Sequence, residues 1–274
     1  MGKFYPLVFA LCCGVFLSRA QSIHFDRLDI NDGLSQNTVT SIIQDDKGFM
    51  WFGTKDGLCR YDGKSFKTFM HDPRLTTGLG NSLIKCLVQD HDHKIWVGTD
   101  SGLYVYDPVT ENFSDVPLYA ADGKLVTKPI SILECDRDGR VWIVVENSDI
   151  FCCDPQTREV VSRYKPRKPL RSFAVDRNGV IWFAGYGGGL YYTEDLFRNV
   201  KPFLDAGGQE IYPKDIISFI CLSDYNGMYL GLEEHGVVKV DLVTGTVTRL
   251  RLSDNPDAPL FVRHILPYSP DELW

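Results

Sequence analysis

One short motif recurs along this chain and restricts what it can fold into. Gly48-Phe49-Met50-Trp51-Phe52-Gly53-Thr54 returns as Lys94-Ile95-Trp96-Val97-Gly98-Thr99, Arg140-Val141-Trp142-Ile143-Val144-Val145 and Val180-Ile181-Trp182-Phe183-Ala184-Gly185. Gly227-Met228-Tyr229-Leu230-Gly231 is a degraded copy, and Glu272-Leu273-Trp274 starts another. The five tryptophans all lie in these copies, spaced by 45, 46 and 40 residues and then by 92, with Tyr229 about midway in the last gap. A period of roughly 40–50 residues marks a repeat architecture, in which each unit hides its apolar face only against its neighbours.

The first full unit shows what repeats. Asn37 to Gln44 alternates as a strand, Asp45-Asp46-Lys47-Gly48 is a hairpin turn, and Phe49 to Thr54 is a second strand. Lys55-Asp56-Gly57 turns again, Leu58 to Asp62 is a third strand, Gly63-Lys64 turns, and Ser65 to Met70 is a fourth. Alternation with period two, punctuated by Gly and Asp, is strand-and-hairpin grammar. Four short antiparallel strands in about 45 residues make one blade of an all-β propeller. Blades are expected at roughly 37–70, 82–116, 129–164, 170–203 and 215–251, with a sixth begun at 261–274, so the ring is incomplete. In the fifth, Asp224 and Gly227 read as the turn Asp and Gly, with one residue fewer before Tyr229. Ile23 to Ile30 also alternates and is a candidate closing strand. Trp274 falls in mid-strand, which reads as the N-terminal piece of a longer protein with further repeats beyond it.

In such a blade the repeated Trp is expected to fill the gap between blades, its indole N–H needing one partner. The Asp before each first hairpin is expected to cap its turn through backbone amides. Calcium readings of Asp136-Arg137-Asp138-Gly139 and Asp90-His91-Asp92 are weak, because neither runs into a ligand-rich loop with a distal Glu. No metal or cofactor is expected.

Residues 1–20 differ from the rest: Lys3 precedes an almost wholly apolar Phe4 to Leu17, and Ser18-Arg19-Ala20 offers small residues for cleavage before Gln21. That pattern predicts a signal peptide and an exported domain at 21–274, an uncleaved anchor being the alternative. Removing it leaves 27 Lys+Arg against 36 Asp+Glu, a balance poorly suited to nucleic acid or anionic membrane. Cys59, Cys86, Cys135, Cys152, Cys153 and Cys221 lie in predicted strands without metal-ligand spacing and read as free core thiols. Cys152 and Cys153, adjacent in one strand, must face opposite sides.

The run from Asn37 to Asp62, Asn-x-Val-x-x-Ile-x-x-Asp-x-x-Gly-x-x-Trp-x-Gly-Thr-x-x-Gly-Leu-x-x-Tyr-Asp, resembles the two-component regulator propeller repeat. Phe25-Asp26-Arg27-Leu28 and Asp32-Gly33-Leu34-Ser35-Gln36-Asn37 resemble the opening of those proteins. Val144-Val145 in place of Gly-Thr, and Tyr229 in place of Trp, depart from the pattern. The resemblance implies the periplasmic sensor of a hybrid two-component protein, anchored in the inner membrane by a segment beyond this chain and dimeric in its full length. It further implies an oligosaccharide ligand, whose binding alters a cytoplasmic histidine kinase that is also beyond this chain. The chain itself is then no enzyme and binds no nucleic acid.

In an up-and-down blade the second turn and the blade-to-blade connection share a face. Candidate ligand-binding residues on it are Lys55, Asp56, Asp100, Asn147, Tyr186, Glu234 and His235, alongside Glu146 and Glu233. Tyr186, set among Gly185, Gly187, Gly188 and Gly189, is the most attractive platform for a sugar. Two other readings stand beside the sensor: an exported propeller lyase or glycosidase, for which Asp56, Asp100, Glu146 and Glu234 would supply carboxylates, and a scaffold for protein partners.

Overall fold

The computed structural model describes residues 27–187, 189–223, 227–233, 235–251, 262, 264–269, 272 and 273. The predicted signal peptide, Asp224, Glu234 and Trp274 lie outside them.

Five four-stranded antiparallel sheets follow one another, each in simple up-and-down order, and no helix occurs among the described residues. The first holds β1 (Val39–Gln44), β2 (Met50–Thr54), β3 (Gly57–Tyr61) and β4 (Phe66–Phe69). The second holds β5 (Ile84–Gln89), β6 (Ile95–Thr99), β7 (Gly102–Asp107) and β8 (Asn112–Asp115). The third comprises β9 (Ile130–Cys135), β10 (Val141–Val145), β11 (Ile150–Cys153) and β12 (Val160–Tyr164). The fourth comprises β13 (Leu170–Val175), β14 (Ile181–Gly185), β15 (Leu190–Thr193) and β16 (Lys201–Pro202). The fifth has β17 (Ile217–Leu222), β18 (Gly227–Leu232), β19 (Gly236–Asp241) and β20 (Val247–Arg249). A two-stranded start of a sixth pairs β21 (Pro267–Ser269) with β22 (Glu272–Leu273). Successive blades meet through their first strands, so β1, β5, β9, β13 and β17 run along the inside of an open arc. Residues 27–29 form no strand and 30–33 form a turn, which corrects the reading of Ile23 to Ile30 over its described part. Asp29 explains why: its carbonyl and side chain bind the amides of Asp32, Leu34 and Asn31, so local polar bonds outcompete strand pairing.

The tryptophans fill the space between blades. Trp96 packs with Leu103 and Val105 of its own blade and with Leu133, Val141 and Ile143 of the next. Trp51, likewise buried, shares a cluster with Ile84, Leu87 and Tyr106 of blade two. The indole N–H groups of Trp51, Trp96, Trp142 and Trp182 have the same partner, the Asp six residues before: Asp45 at 2.8 Å, Asp90 at 2.7 Å, Asp136 at 2.8 Å and Asp176 at 3.2 Å. The other oxygen of the same carboxylate accepts turn amides, as Asp90 does from Asp92 at 3.0 Å and Lys94 at 2.9 Å. One side chain thus caps the hairpin and satisfies the buried indole, and a charged acceptor makes both bonds stronger than neutral ones.

Blade five shows how tightly the two positions are tied. The Ser223 amide donates to the Gly227 carbonyl at 2.9 Å, as the Asp45 amide does to Phe49 at 2.9 Å. Cys221 pairs with Tyr229 just as Ile43 pairs with Trp51. The turn is therefore of normal length, and Ser223, not Asp224, holds the Asp position. The copy that lacks the carboxylate is the copy that lacks the indole.

Glycine in the motif answers to the neighbouring blade. A Cβ on Gly53 would lie 2.7 Å from Ile84 Cγ2, one on Gly98 would lie 2.9 Å from Ile130 Cβ, and one on Gly231 would lie 2.8 Å from Val262 Cγ1. Ile84 and Ile130 are the first residues of β5 and β9, and Val262 lies ahead of β21. A bulge follows the first residue of every inner strand from blade one to blade five, and in blades one and five the bulged hydroxyl stitches the seam. Thr40 Oγ1 donates to the carbonyls of Gly53 at 3.0 Å and Ile84 at 2.8 Å, and Ser218 Oγ to those of Gly231 at 3.0 Å and Val262 at 2.9 Å.

All six cysteines of the described region are free thiols. Cys153 belongs to the cluster between blades two and three and Cys152 to that between three and four, so the adjacent pair does face opposite sides. Burial pushes both thiols up to about 12 and Cys135 up to about 11.

Glu134 breaks the inner-strand pattern. It pairs with Trp142 where the other blades place Ile43, Val88, Ala174 and Cys221 opposite the repeat aromatic. Burial raises its carboxyl from the ordinary 4.5 to about 7. Folding therefore favours the protonated acid. The stabilisation is complete below about pH 4.5 and is lost as pH rises through 7. Urea denaturation should show the chain losing about 2 kcal/mol between pH 4.5 and 7.5 relative to Glu134→Gln, the figure being reduced because the side chain is only partly buried. Parallel pH profiles for the two proteins would refute it.

Candidate functional site

The second turn of every blade is fastened to the residue that precedes that blade's own first strand. The Lys55 amide donates to Thr38 at 3.2 Å, Asp100 to Leu83 at 2.9 Å, Glu146 to Pro129 at 2.8 Å, Tyr186 to Pro169 at 3.3 Å and Glu233 to Ile216 at 3.0 Å. The hydrogen-bonded frame thus gathers these turns and the blade-to-blade connections onto one face. The Trp-binding aspartates belong to the other hairpin and the opposite face, and their carboxylates are already engaged.

Within the turns, local chemistry is repeated. Thr54 Oγ1 donates to the Gly57 carbonyl at 2.9 Å and accepts from the Asp56 amide at 3.0 Å. Thr99 does the same with Gly102 and Ser101. These buried threonines hold the loop tips, and Lys55 and Asp56 stand exposed on one.

Lys55, Asp56, Asp100, Asn147, Tyr186 and His235 all lie on this rim but spread over five blades, so the face brings them to one side without gathering them into one cluster. Glu234 falls outside the described residues. Asp100, Asn147, Tyr186 and His235 each find a side-chain partner in their own blade or in the segment leading into it. Asp100 pairs with Lys85 at 3.4 Å, and the Asn147 carbonyl accepts from Lys128 Nζ at 3.5 Å. Tyr186, 43% exposed, lies under Arg171, whose guanidinium carbon is 5.3 Å from the ring centroid. His235 Nδ1 is 3.7 Å from Asp215 Oδ1, beside a recess of about 180 Å³ lined also by Lys214, Ile216 and Glu233.

The partners Lys85, Lys128, Lys168 and Arg171 were missing from the sequence reading, which looked only at turn residues. A signal was available: each stands within two residues of the start of an inner strand, the point to which the turn is fastened. Asp149 was missed too, a buried carboxylate of blade three whose Oδ1 has no partner among the described residues.

A cavity of about 470 Å³ opens where blade three hands over to blade four. Tyr164, Leu170, Phe183 and Tyr191 form apolar walls, and Arg167, Lys168 and Glu210 are its charged side chains. Among the described residues no group of three or more Cys, His, Asp or Glu side chains is assembled as a metal site.

Comparison with known proteins bears on this arrangement. A family profile described as Two component regulator propeller matches residues 33–56 and 78–101, the cores of the first two blades. Over 77 residues the chain is 35% identical to Histidine kinase P4 from Formosa agariphila, covering 28% of this chain and 6% of that protein. The extracellular domain assigned to the hybrid two component system BT3049 of B. thetaiotaomicron superposes with a TM-score of 0.62 at 21% identity, over 88% of this chain and 39% of that one. Virginiamycin B lyase from Staphylococcus aureus superposes with a TM-score of 0.62 at 12% identity, over 82% of this chain and 73% of the lyase. At these identities the superpositions show the propeller fold alone. The chain spans well under half the length of the two-component relatives it matches.

Proposed function

This chain is built of two-component regulator propeller repeats, and from that we propose that it is part of the exported, ligand-sensing propeller of a hybrid two-component protein. Its ligand is an oligosaccharide, bound on the face that carries the second turns. Binding is passed to a histidine kinase outside this chain, through a dimer of the full-length protein anchored in the inner membrane. The sensing part stands in the periplasm, exported by the segment at residues 1–20.

The observation that carries this reading is the fastening of every second turn to the start of an inner strand. It supplies a rigid face with polar, cationic and aromatic side chains, the kind of surface on which binding residues are held by a scaffold. Tyr186 under Arg171 offers a flat ring beside a fixed guanidinium, and Asp100, Asn147 and His235 offer hydrogen-bonding groups around the same rim.

The lyase that shares this fold means that shape alone does not separate receptor from catalyst. The side chains favour a receptor. Asp100 and Glu146 hold the same turn position in successive blades and Asp56 the next position along in blade one, so the three stand on separate blades and not as a facing pair across one substrate. Calorimetric titration of the protein with size-defined neutral and acidic oligosaccharides, followed by product analysis, tests the reading. Saturable binding with the saccharide recovered intact is expected. Turnover would replace the receptor with an enzyme, and no binding by any saccharide would overturn the ligand class.

A further inference from the structure

The seam between blades three and four is unlike the others. At every other seam an inner-strand side chain bonds the next inner strand: Thr40 to the Ile84 carbonyl, Cys86 to Ile130 at 3.3 Å, Ser172 with the Ile220 amide at 2.7 Å and Ser218 to Val262. Ser131, the counterpart of Thr40 and Ser218, reaches only the Val144 carbonyl of its own blade, at 3.0 Å. No inner-strand hydrogen bond crosses from β9 to β13 among the described residues. The two strands also touch less than the other inner pairs.

The sequence contains the reason. Where blades one, two and five have a glycine that lets the next strand close in, blade three has Val144. Its side chain sits in the same apolar cluster as Leu170, Tyr164, Phe183 and Tyr191. Leu170 opens β13 at the position of Ile84, Ile130 and Ile217, which are 0% exposed, yet Leu170 is only partly buried. Leu170, Tyr164, Phe183 and Tyr191 are also walls of the 470 Å³ cavity. The departure from the repeat and the cavity thus meet in one apolar cluster, where a valine stands at the glycine position.

The chain leading over this gap is the most basic stretch of an acidic protein. Arg163, Lys165, Arg167, Lys168 and Arg171 fall within nine residues that contain no Asp or Glu, in a chain of net charge −7. None of the five forms an ion pair among the described residues. Lys168 reaches the Gly187 carbonyl and Arg171 lies over Tyr186, while Arg167 and Lys168 border the cavity. Tyr164 and Tyr191 line it with hydroxyls that have no hydrogen-bond partner among the described residues. Unpaired cations at the mouth of a pocket of low polarity attract anions, and a guanidinium grips a carboxylate or sulfate with two parallel bonds.

We propose that the cleft between blades three and four is a binding subsite for an acidic sugar residue. Tyr164, Phe183 and Tyr191 contact the ring, Arg167 and Lys168 take its carboxylate or sulfate, and Glu210 accepts from a hydroxyl. This rests on the saccharide reading above and adds its charge and its place, beside the second turn of blade four.

The test is calorimetric titration of the full chain with three probes: tetragalacturonide, its carboxyl-reduced neutral counterpart, and a galactan tetrasaccharide bearing sulfate but no carboxylate. At least tenfold tighter binding of one or both acidic probes over the neutral one is expected, and which acidic probe wins identifies the anionic group. Arg167→Ala with Lys168→Ala, both exposed and so compatible with folding, should erase that preference. Val144→Gly should weaken acidic binding by letting the seam close. Neutral and acidic probes binding alike, or a preference unmoved by the double variant, would overturn the subsite while leaving the saccharide receptor intact. Failure of all three probes to bind would overturn the subsite, and the saccharide reading would fall with it only if the wider saccharide series above also failed to bind.

Discussion

Trp96→Ala is expected to cost the chain about 3–5 kcal/mol, the range for emptying a fully buried aromatic site. Trp96 is 0% exposed and joins two blades, so both lose packing at once. The substitution also strands the carboxylate of Asp90, 3% exposed, whose Oδ2 accepts a hydrogen bond from the indole N–H at 2.7 Å. The bond can be isolated from the packing. Trp96→Tyr keeps most of the ring and removes the donor, and Asp90→Ser removes the acceptor while leaving a hydroxyl for the turn. Each alone should cost about 1–3 kcal/mol, because a buried partner is left unsatisfied. Together they recreate the pair that blade five uses, Ser223 and Tyr229, and should cost less than the sum. Urea denaturation of the four proteins gives the coupling energy directly. Additive losses would mean that carboxylate and indole contribute independently.

Gly98→Val is expected to be nearly as damaging, at about 3 kcal/mol, although it adds apolar surface to a core. Any Cβ at this position meets Cys86 Sγ at 2.5 Å and Ile130 Cβ at 2.9 Å, and neither strand can retreat without breaking the Cys86 to Ile130 bond that closes the seam. Valine is what blade three carries at the equivalent residue, 144, so the experiment imposes the blade-three arrangement on a closed seam. Trimming the neighbour with Cys86→Ala should recover part of the loss. A Gly98→Val protein as stable as the parent in thermal and urea melts would show that seams adjust freely, and the link between Val144 and the open cleft would then lose its physical basis.

Much of this fold could be read from the chain because each blade repeats a local pattern. Period-two alternation and turn residues act over a few positions, so strand limits such as Val39–Gln44 and Gly57–Tyr61 lie close to those the residues suggest. Trp and Asp were each assigned a task, packing and capping. That they perform one task jointly was latent in their constant six-residue offset, and blade five was misaligned because Asp224 attracted the match while Ser223 held the position. The candidate rim was legible for the same local reason, since a turn's place in an up-and-down blade follows from counting strands. The cations beside the turns were not, because they come from the far end of each unit.

The sequence by itself determined the number of blades in this chain, the order of strands within each, and the residues that fill the gaps between them, since all three follow from interactions that recur within one period. Only the tertiary structure decided how closely neighbouring blades approach. That distance is set by a glycine, a hydroxyl or a valine on one blade meeting a strand about 45 residues away on the next, as Thr40 meets Ile84 and Gly98 meets Ile130. Val144 looks in the sequence like a weakened copy of a motif. In the folded chain it stands at the seam that no inner-strand hydrogen bond closes among the described residues, in one apolar cluster with four walls of the pocket.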